Sequence, residues 1–247
     1  MKRKMMNTTP PSLNPVIIAT HQLEKIYNPT RIPVHALRGI DLEVKKGEFT
    51  AIVGPSGSGK STLLHIIGGL DNPTKGSVYI GGRDITTMSN GELTEFRKQH
   101  IGFVFQSYNL IPVLTALENV EFIMLLQNKD KKEREQRARF LLESVGLADK
   151  LHKRPSELSG GQQQRVAVAR ALASKPSFVL ADEPTANLDS VSSGNLLDIM
   201  ERLNQEEDMT FVFSTHDPRV IERAHRIIHL VDGRIEKDEI VNPTEVQ

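Results

Sequence analysis

The sequence predicts an α/β protein: a mostly parallel sheet with helices on both faces, an N-terminal antiparallel β-layer and an inserted helical subdomain. Three observations lead to this class. Apolar strand-like segments alternate with helical patterns through the second half of the chain, which favours parallel strands joined by crossover helices. Several short strand patterns precede the first strong helical pattern. Between residues 107 and 158 the composition changes to helical spacing with a charged, solvent-facing side.

The overall composition excludes several classes of protein. Lys+Arg and Asp+Glu both total 31 in the 247 residues, so bulk charge gives no support for a nucleic-acid partner or an anionic membrane surface. The absence of cysteine excludes disulfides, zinc–thiolate sites and thiol catalysis. No apolar run approaches the roughly 20 residues that cross a bilayer. We therefore expect a chain without a membrane span of its own.

The first part of the chain is predicted to form a tail followed by short strands. Residues 1–15 begin with basic side chains and continue as a polar, proline-rich stretch, which lacks the apolar segment of a signal peptide. We expect a disordered tail there, in the cytoplasm. Residues 16–19 and 23–27 have strand patterns, and residues 40–44 alternate apolar and polar side chains as a half-buried strand does. Residues 49–53 form an apolar strand that leads into a glycine-rich segment.

That glycine-rich segment, Gly54-x-x-x-x-Gly59-Lys60-Ser61, is the centre of the predicted site. It lies between an apolar strand and an apolar helical run, which is the order that a phosphate-binding P-loop requires. Backbone N–H groups and the positive end of the helix would face phosphate oxygens. Lys60 can reach the β- and γ-phosphates, and the Ser61 hydroxyl can ligate Mg²⁺. The residues predicted to bind nucleotide here are Gly54, Pro55, Ser56, Gly57, Ser58, Gly59, Lys60, Ser61 and Thr62. This pattern predicts a P-loop NTPase (RecA-like) core.

Beyond the P-loop, helices and strands alternate. Strands are predicted at 76–80, 101–105, 178–181 and 209–213, helices at 114–127, 131–145, 163–173, 193–203 and 218–224, and a hairpin at 227–235. We expect one domain over residues 16–240, followed by a tail at 241–247. Within it, 16–106 and 159–240 would form the core with its β-layer, and 107–158 the helical subdomain.

An acidic pair follows the apolar strand at residues 178–181. A carboxylate at the end of a buried strand is held rigidly beside a P-loop, so Asp182 is the candidate Mg²⁺ ligand together with Ser61. Glu183 is the candidate general base that polarises the attacking water. The competing interpretation is a helix N-terminus with acidic caps, which the P-loop earlier in the chain makes less favourable.

A resemblance to a known family follows from the next motif. Leu158-Ser159-Gly160-Gly161-Gln162 is the signature pattern of ATP-binding cassette ATPases. The chain resembles that family from Val16 onward through the order P-loop, Gln106, signature, Asp182-Glu183, Asn187-Leu188-Asp189 and His216. On its own chemistry, a serine with two glycines at a helix start is a second anion site. The resemblance implies ATP and Mg²⁺ as cofactors and ATP hydrolysis as the reaction.

The resemblance also implies a homodimer in which two chains meet head to tail around two nucleotides. The signature residues of one copy would complete the ATP site of the other, and Asp189 would lie at the dimer seam. Gln106 would sense Mg²⁺ and the attacking water, and His216 would contact the γ-phosphate. The residues implied for the second half of the site are Ser159, Gly160, Gly161 and Gln162.

One tyrosine is expected at the nucleotide site and a second is not. Cassettes place an aromatic ring on adenine before the strand that leads to the P-loop, and Tyr27 fits that position. A tyrosine that only packs is the alternative, because aromatic side chains mostly serve packing. Tyr108, which follows Gln106, is expected to face a partner instead.

Within the family, the local sequence resembles that of the LolD/MacB/FtsE branch at residues 61–71, 114–120, 154–161 and 180–185. This implies a peripheral subunit on an integral membrane permease, at the cytoplasmic face of the bacterial inner membrane. We expect the permease to dock near residues 107–114, whose apolar side chains are otherwise lobe core. Lipoprotein release is the leading function, and MacB-type macrolide or peptide export and FtsE-like cell division are alternatives.

Two other classes are less favoured. Cassettes that act on DNA have long coiled coils before the signature, and translation-factor cassettes have two cassettes in one chain; this chain has neither, and its neutral charge disfavours nucleic acid. A purely regulatory module is opposed by the presence of both Glu183 and His216.

Overall fold

The computed structural model of the chain describes residues 14–28, 30 and 32–241. The strands are β1 (Val16–Tyr27), β2 (Val34–Lys45), β3 (Phe49–Val53), β4 (Lys75–Ile80), β5 (Arg83–Asp84), β6 (Ile101–Val104), β7 (Phe178–Asp182), β8 (Thr210–Thr215), β9 (Arg226–Val231) and β10 (Arg234–Ile240). The helices are α1 (Lys60–Ile67), α2 (Asn90–His100), α3 (Ala116–Leu126), α4 (Lys131–Ser144), α5 (Gly160–Ala173), α6 (Ser190–Glu207) and α7 (Pro218–Ile221). Short 3₁₀ turns cover Ala148–Lys150 and Pro155–Glu157.

The larger sheet confirms the prediction of a mostly parallel core. Its six strands have the order β10-β9-β3-β8-β7-β6, and β10 is the one antiparallel member, as the predicted hairpin requires. Every residue of β3 and β8 is buried, as expected for parallel strands covered on both faces. The carboxyl ends of β3, β7 and β8 therefore lie side by side at one edge, with their registers fixed by pairing.

Alternate side chains of the core strands pack into two different apolar clusters. On β7, Val179 and Ala181 belong to the cluster that also holds residues of α3 to α6. Phe178 and Leu180 belong to the cluster shared with α1 and the antiparallel layer. This division follows from the period of two along a strand. The sheet is thus covered by helices on one face and by α1 with the β-layer on the other.

The antiparallel layer confirms the predicted N-terminal β-layer and corrects its strands. Its order is β2-β1-β4-β5. The predicted strands at 16–19 and 23–27 form one strand, because a register shift between Thr20 and Leu23 absorbs the break in pattern and Gln22 takes a positive φ of 44°. β2 begins at Val34, well before the alternating residues at 40–44.

Helix α2 was missed by the sequence reasoning, and α5 and α6 begin earlier than predicted. Each has a clear cap: Ser89 and Glu92 form a capping box at α2, and Ser159 and Gln162 form another at α5. Asp189 accepts hydrogen bonds from the first N–H groups of α6. Caps outside the apolar pattern extend a helix beyond the residues that periodicity detects.

The ends of the described chain are tied to the fold. The Asn14 side chain and the Pro15 carbonyl both hydrogen-bond the backbone of Lys46, so these two residues of the predicted 1–15 tail contact the turn before β3. Residues 1–13 and 242–247 of the predicted tails lie outside the described residues. The subdivision into core and helical subdomain at 107–158 stays a prediction. No helix within the described ranges has the length and apolarity to cross a membrane.

Candidate active site

The P-loop connects the end of β3 to the start of α1. Gly59, with φ of 104°, precedes the first residue of α1, and an added Cβ there would meet the carbonyl of Ala36. Only glycine combines that left-handed backbone with so close an approach. As at the start of any α-helix, the first N–H groups of α1 have no partner within the helix, which is the arrangement that favours an anion.

Lys60 is held inside this loop. Its ammonium donates to the carbonyls of Gly54 at 2.8 Å and Pro55 at 3.1 Å, and the residue is 8% exposed. These carbonyls replace the water that a buried ammonium loses. The cation therefore sits at the centre of the loop, where a nucleotide phosphate would be bound.

An open cleft of about 670 Å³ surrounds the loop and brings together residues from distant parts of the chain. It is lined by Tyr27, Val34, His35, Ala36, Gly54, Pro55, Ser56, Gly57, Gly59, Lys60, Ser61, Thr62, Gln106, Glu183 and His216. Of the nine residues predicted to bind phosphates, Ser58 does not line the cleft; it is 2% exposed, and its carbonyl accepts a hydrogen bond from the Gly233 N–H.

Asp182 ends β7 directly beside the P-loop serine. The Ser61 hydroxyl donates to Asp182 Oδ1 at 2.8 Å, and His65 Nε2 lies 3.5 Å from Oδ2. Burial would raise the pKa of Asp182, but hydrogen bonds from His65, Ser61 and Ser214 outweigh it and hold the pKa below its usual value. A hydroxyl and an ionised carboxylate in contact are the oxygen ligands that Mg²⁺ prefers, and Mg²⁺ commonly needs only one or two protein ligands beside phosphate. The residues present thus fit this ion.

Glu183 and His216 meet at the adjoining ends of β7 and β8. The Nδ1 atom of His216 lies 2.8 Å from Glu183 Oε1. Asp182 and Ser214 are paired across β7 and β8. Glu183 comes directly after Asp182 and His216 two residues after Ser214, so their side chains meet. Glu183 has a positive φ of 46°, and its N–H donates to the Ser214 carbonyl at 2.8 Å. A left-handed backbone at a residue other than glycine costs about 1–3 kcal/mol and is found mostly at functional sites. The geometry points the carboxylate into the cleft.

Comparison with known proteins decides the family. The family model described as ABC transporter matches residues 37–186 of this chain, more than half of its length and including the P-loop, the signature and the acidic pair. The protein is an ABC transporter ATP-binding subunit. The predicted family and the predicted ATPase activity are thereby confirmed, and ATP is its nucleotide.

Individual relatives resemble this cassette over most of their length. An uncharacterized ABC transporter ATP-binding protein of Thermotoga maritima is 54% identical over 86% of this chain and 90% of its own. A lipoprotein-releasing system ATP-binding protein LolD of Aquifex aeolicus is 50% identical over 81% of this chain and 88% of its own. The solved dimeric cassette MJ0796, bound to ADP and Pi, matches with a TM-score of 0.85 at 44% identity, over 92% of this chain and 99% of that one.

At the P-loop cleft, Tyr27 is positioned by its neighbours. The Tyr27 hydroxyl donates to Asp71 Oδ2 at 2.8 Å, and the Lys25 ammonium lies 4.8 Å from the ring centroid. Lys25 also pairs with Asp71 at 2.6 Å. The ring is fixed at the end of β1 and lines the cleft, which suits stacking against a purine. That role remains a prediction.

The signature of the cassette lies outside this cleft. Ser159 caps α5 by accepting from the Gln162 N–H at 3.3 Å, and Gln162 Oε1 accepts from the Ser159 N–H at 2.9 Å. An added Cβ at Gly161 would lie 2.8 Å from the Ser192 hydroxyl. None of the four signature residues predicted to bind ATP is among the residues that line the P-loop cleft. Within one chain the two predicted phosphate-binding segments remain separate.

Two features of this region were not predicted from the sequence: part of the cleft wall, and the buried side chain of Gln164, which hydrogen-bonds the segment after β7. Val34, His35 and Ala36, at the start of β2, also line the cleft, and the polar turn before β2 gave no sign of this. Gln164 is fully buried and donates to the Pro184 carbonyl at 2.8 Å. The only signal in the sequence was that Gln164 is the third glutamine of a run that begins with Gln162, the last signature residue. Its partner Pro184 lies 20 residues further along the chain.

The carboxylate after His216 is expected to stabilise the fold in a pH-dependent way. Burial would raise the pKa of Asp217, but hydrogen bonds from Arg219 and Thr185 lower it from 3.8 to about 2. Its folded-state pKa is depressed, so the stabilisation is present above about pH 4 and is lost as pH falls through about 2. We expect Asp217→Asn to lower the free energy of unfolding by about 2 kcal/mol at pH 7.

Urea unfolding between pH 7 and pH 3 measures this effect. The difference between wild type and Asp217→Asn should begin to narrow below about pH 4. Asp198→Asn, which removes an exposed partner of Arg223, should cost little at any pH. A difference for Asp217→Asn that stays constant down to pH 3 would contradict this account.

Proposed function

We propose that this cassette binds ATP with Mg²⁺, pairs head to tail with a second copy, and uses ATP hydrolysis to drive a separate integral membrane permease in lipoprotein release. The observation behind the proposal is the separation just described. One chain has a P-loop cleft with catalytic carboxylates, and its signature lies elsewhere with its own helix start. A second copy would supply Ser159, Gly160, Gly161 and Gln162 to the cleft. The dimeric state of the related solved cassette supports this arrangement.

The residues of the cleft have distinct proposed roles. Lys60 and the P-loop N–H groups would hold the β- and γ-phosphates, while Ser61 and Asp182 would hold Mg²⁺ with Gln106 nearby. Bound Mg²⁺ neutralises charge on the phosphate oxygens. The oxygen of the attacking water would bond to the γ-phosphorus while the bond between that phosphorus and ADP breaks. Glu183 would accept the proton that the water loses. His216 would donate from Nδ1–H to Glu183 and hold that carboxylate in place, and in its doubly protonated form it would also donate from Nε2–H to the γ-phosphate.

A groove beside the Gln106 segment is the proposed docking surface for the permease. This apolar groove, of about 320 Å³, is lined by Leu70, Ile101, Phe103, Phe105, Phe122, Ile123 and Leu126, among others. No residue of the predicted socket at 107–114 is among those that line this groove, so the proposed surface differs from that prediction. Leu110 packs against the core cluster whereas Val113 is 71% exposed, so much of the apolar surface comes from α3 and β6. We place the cassette at the cytoplasmic face of the inner membrane, as a peripheral subunit.

Relatives named LolD support lipoprotein release as the transport function. The test is reconstitution in liposomes with the integral membrane protein that is recovered with this cassette from membranes. ATP should release a membrane-anchored lipoprotein to an acceptor in solution. Export of macrolides without lipoprotein release would instead support the MacB-type alternative.

Capture from membranes tests the partner itself. A tagged Glu183→Gln variant with ATP should recover an integral membrane protein from detergent extracts. Adding Phe122→Asp, in the apolar groove, should abolish recovery because the charge would be desolvated at the interface. ATP-dependent pairing of the cassettes should persist in this double variant, which shows that the loss is specific to the membrane partner. Recovery of ribosomes or DNA in place of a membrane protein would contradict the transporter proposal.

A further inference from the structure

The segment after Gln106 is held by hydrogen bonds to its backbone. Tyr108 and Asn109 both have positive φ, 54° and 50°. The Arg170 guanidinium on α5 donates to the Tyr108 carbonyl at 2.8 Å and also to the Asn109 carbonyl. The side-chain amide of Gln164, six residues earlier on α5, lies 3.4 Å from the Phe105 carbonyl. The helix that begins with the signature thus fixes the backbone on both sides of Gln106.

The Tyr108 side chain links this segment to two others. Its hydroxyl donates to the Asn187 carbonyl of the same chain at 3.3 Å, and the expectation that Tyr108 faces a partner stays a prediction. The hydroxyl would also lie 2.8 Å from a Cβ added at Gly160, so it is packed against the signature backbone. Burial raises the pKa of Tyr108, so the phenol keeps its proton and remains a donor at neutral pH.

Asn187 makes a second hydrogen bond between the same two segments, with its own side chain as the donor. Its side-chain amide donates to the Gln106 carbonyl at 2.9 Å, while its own carbonyl accepts from Tyr108. Two residues further on, Asp189 caps α6 through the N–H groups of Val191 and Ser192. Ser192 in turn lies against Gly161. A short chain of contacts therefore runs from Gln106 to Gly160 and Gly161 of the signature.

We propose that Tyr108 and Asn187 are positioning residues that fasten the Gln106 segment to the Asn187–Asp189 segment and the signature of the same chain. The inference rests on the proposed function, in which Gln106 belongs to one ATP site and the signature to the other. The reciprocal pair makes these segments move as one unit. A displacement at the Gln106 segment, next to the apolar groove, then alters both ATP sites of the dimer together.

Hydroxyl removal separates this role from simple packing of the loop. Tyr108→Phe keeps the ring and its φ preference but removes the bond to the Asn187 carbonyl. Asn187→Ala keeps that carbonyl and removes the bond to Gln106. Each should lower kcat for ATP about three- to tenfold, the effect of one modest hydrogen bond. The KM for ATP should change less than about twofold, because the P-loop contacts are untouched.

The double variant and a matched control complete the experiment. If the two bonds act as one unit, Tyr108→Phe/Asn187→Ala should be no slower than the slower single variant. Tyr79→Phe removes the same hydroxyl on β4, in the antiparallel layer, and should turn over ATP as the wild type does. All variants are measured as full chains at saturating ATP, with thermal unfolding to show that the fold is intact.

The possible outcomes separate this inference from the proposed function. Wild-type kcat in both single variants, a rise in KM at constant kcat, or multiplicative effects in the double variant would overturn the positioning role. Those results, with ATP-dependent pairing of the wild-type chain intact, leave the proposed function in place. A wild-type chain that hydrolyses ATP without pairing would contradict the composite site itself, whatever the variants do.

Discussion

Glu183→Gln should abolish ATP turnover while ATP binding remains, and the variant should accumulate as an ATP-bound dimer. The amide keeps the shape of the side chain and its reach to His216, but it cannot accept the proton of the attacking water. Loss of a positioned general base costs about 10²- to 10⁴-fold in rate. Because Lys60, Ser61 and Asp182 are unchanged, the nucleotide should bind and stay.

Sizing chromatography with ATP and Mg²⁺, together with phosphate release, measures both effects. Glu236→Gln, an exposed position on β10, makes the same chemical change away from the cleft and should behave as the wild type. Monomers of Glu183→Gln in the presence of ATP would argue against a site shared between two copies. Substantial turnover would remove Glu183 from the role of base.

Ser159→Arg should also eliminate hydrolysis, with ATP affinity of the single chain nearly unchanged. Ser159 lies outside the cleft that holds the P-loop, so a bulky cation there cannot disturb nucleotide binding in its own chain. In the dimer the same arginine would occupy the space where the signature approaches the γ-phosphate of the partner. We expect a loss of at least about a hundredfold in kcat, the scale of losing one transition-state donor.

This substitution also removes the cap of α5, which itself costs about 1 kcal/mol of stability. Ser89→Arg is the matched control, because Ser89 forms the same capping box with Glu92 at α2. It should lower the unfolding temperature by a similar amount and leave turnover in place. A large loss of ATP affinity in Ser159→Arg, measured by equilibrium binding, would contradict a role of the signature in trans.

The parts of the site that are local in sequence could be predicted from the sequence. The glycine spacing from Gly54 to Ser61 requires a particular backbone. A carboxylate at the end of a buried parallel strand lies at the edge of the sheet where the P-loop also begins. Asp182 and Ser61 accordingly meet at 2.8 Å. The parallel sheet followed from alternation of element types for the same reason, since each apolar segment needed covering on both faces.

Contacts between distant segments could not be predicted in this way. The bond from Asn187 to the Gln106 carbonyl depends on where β6 and β7 place the two loops that follow them, and neither loop has a periodic pattern. Helix α2 was missed because only Leu93 and Phe96 are buried on it, too few for a helical stripe. Its Ser89–Glu92 capping box was a usable signal that apolar periodicity alone ignores.

The left-handed backbone of Glu183 restricts what can replace it over evolutionary time. Position 183 has φ of 46°, a conformation that β-branched residues strongly disfavour and that asparagine, aspartate and glycine accept most readily. Valine or threonine there would be selected against through folding as well as through chemistry. Replacement by asparagine or glycine would therefore relax the backbone at this position while it removes the glutamate carboxylate.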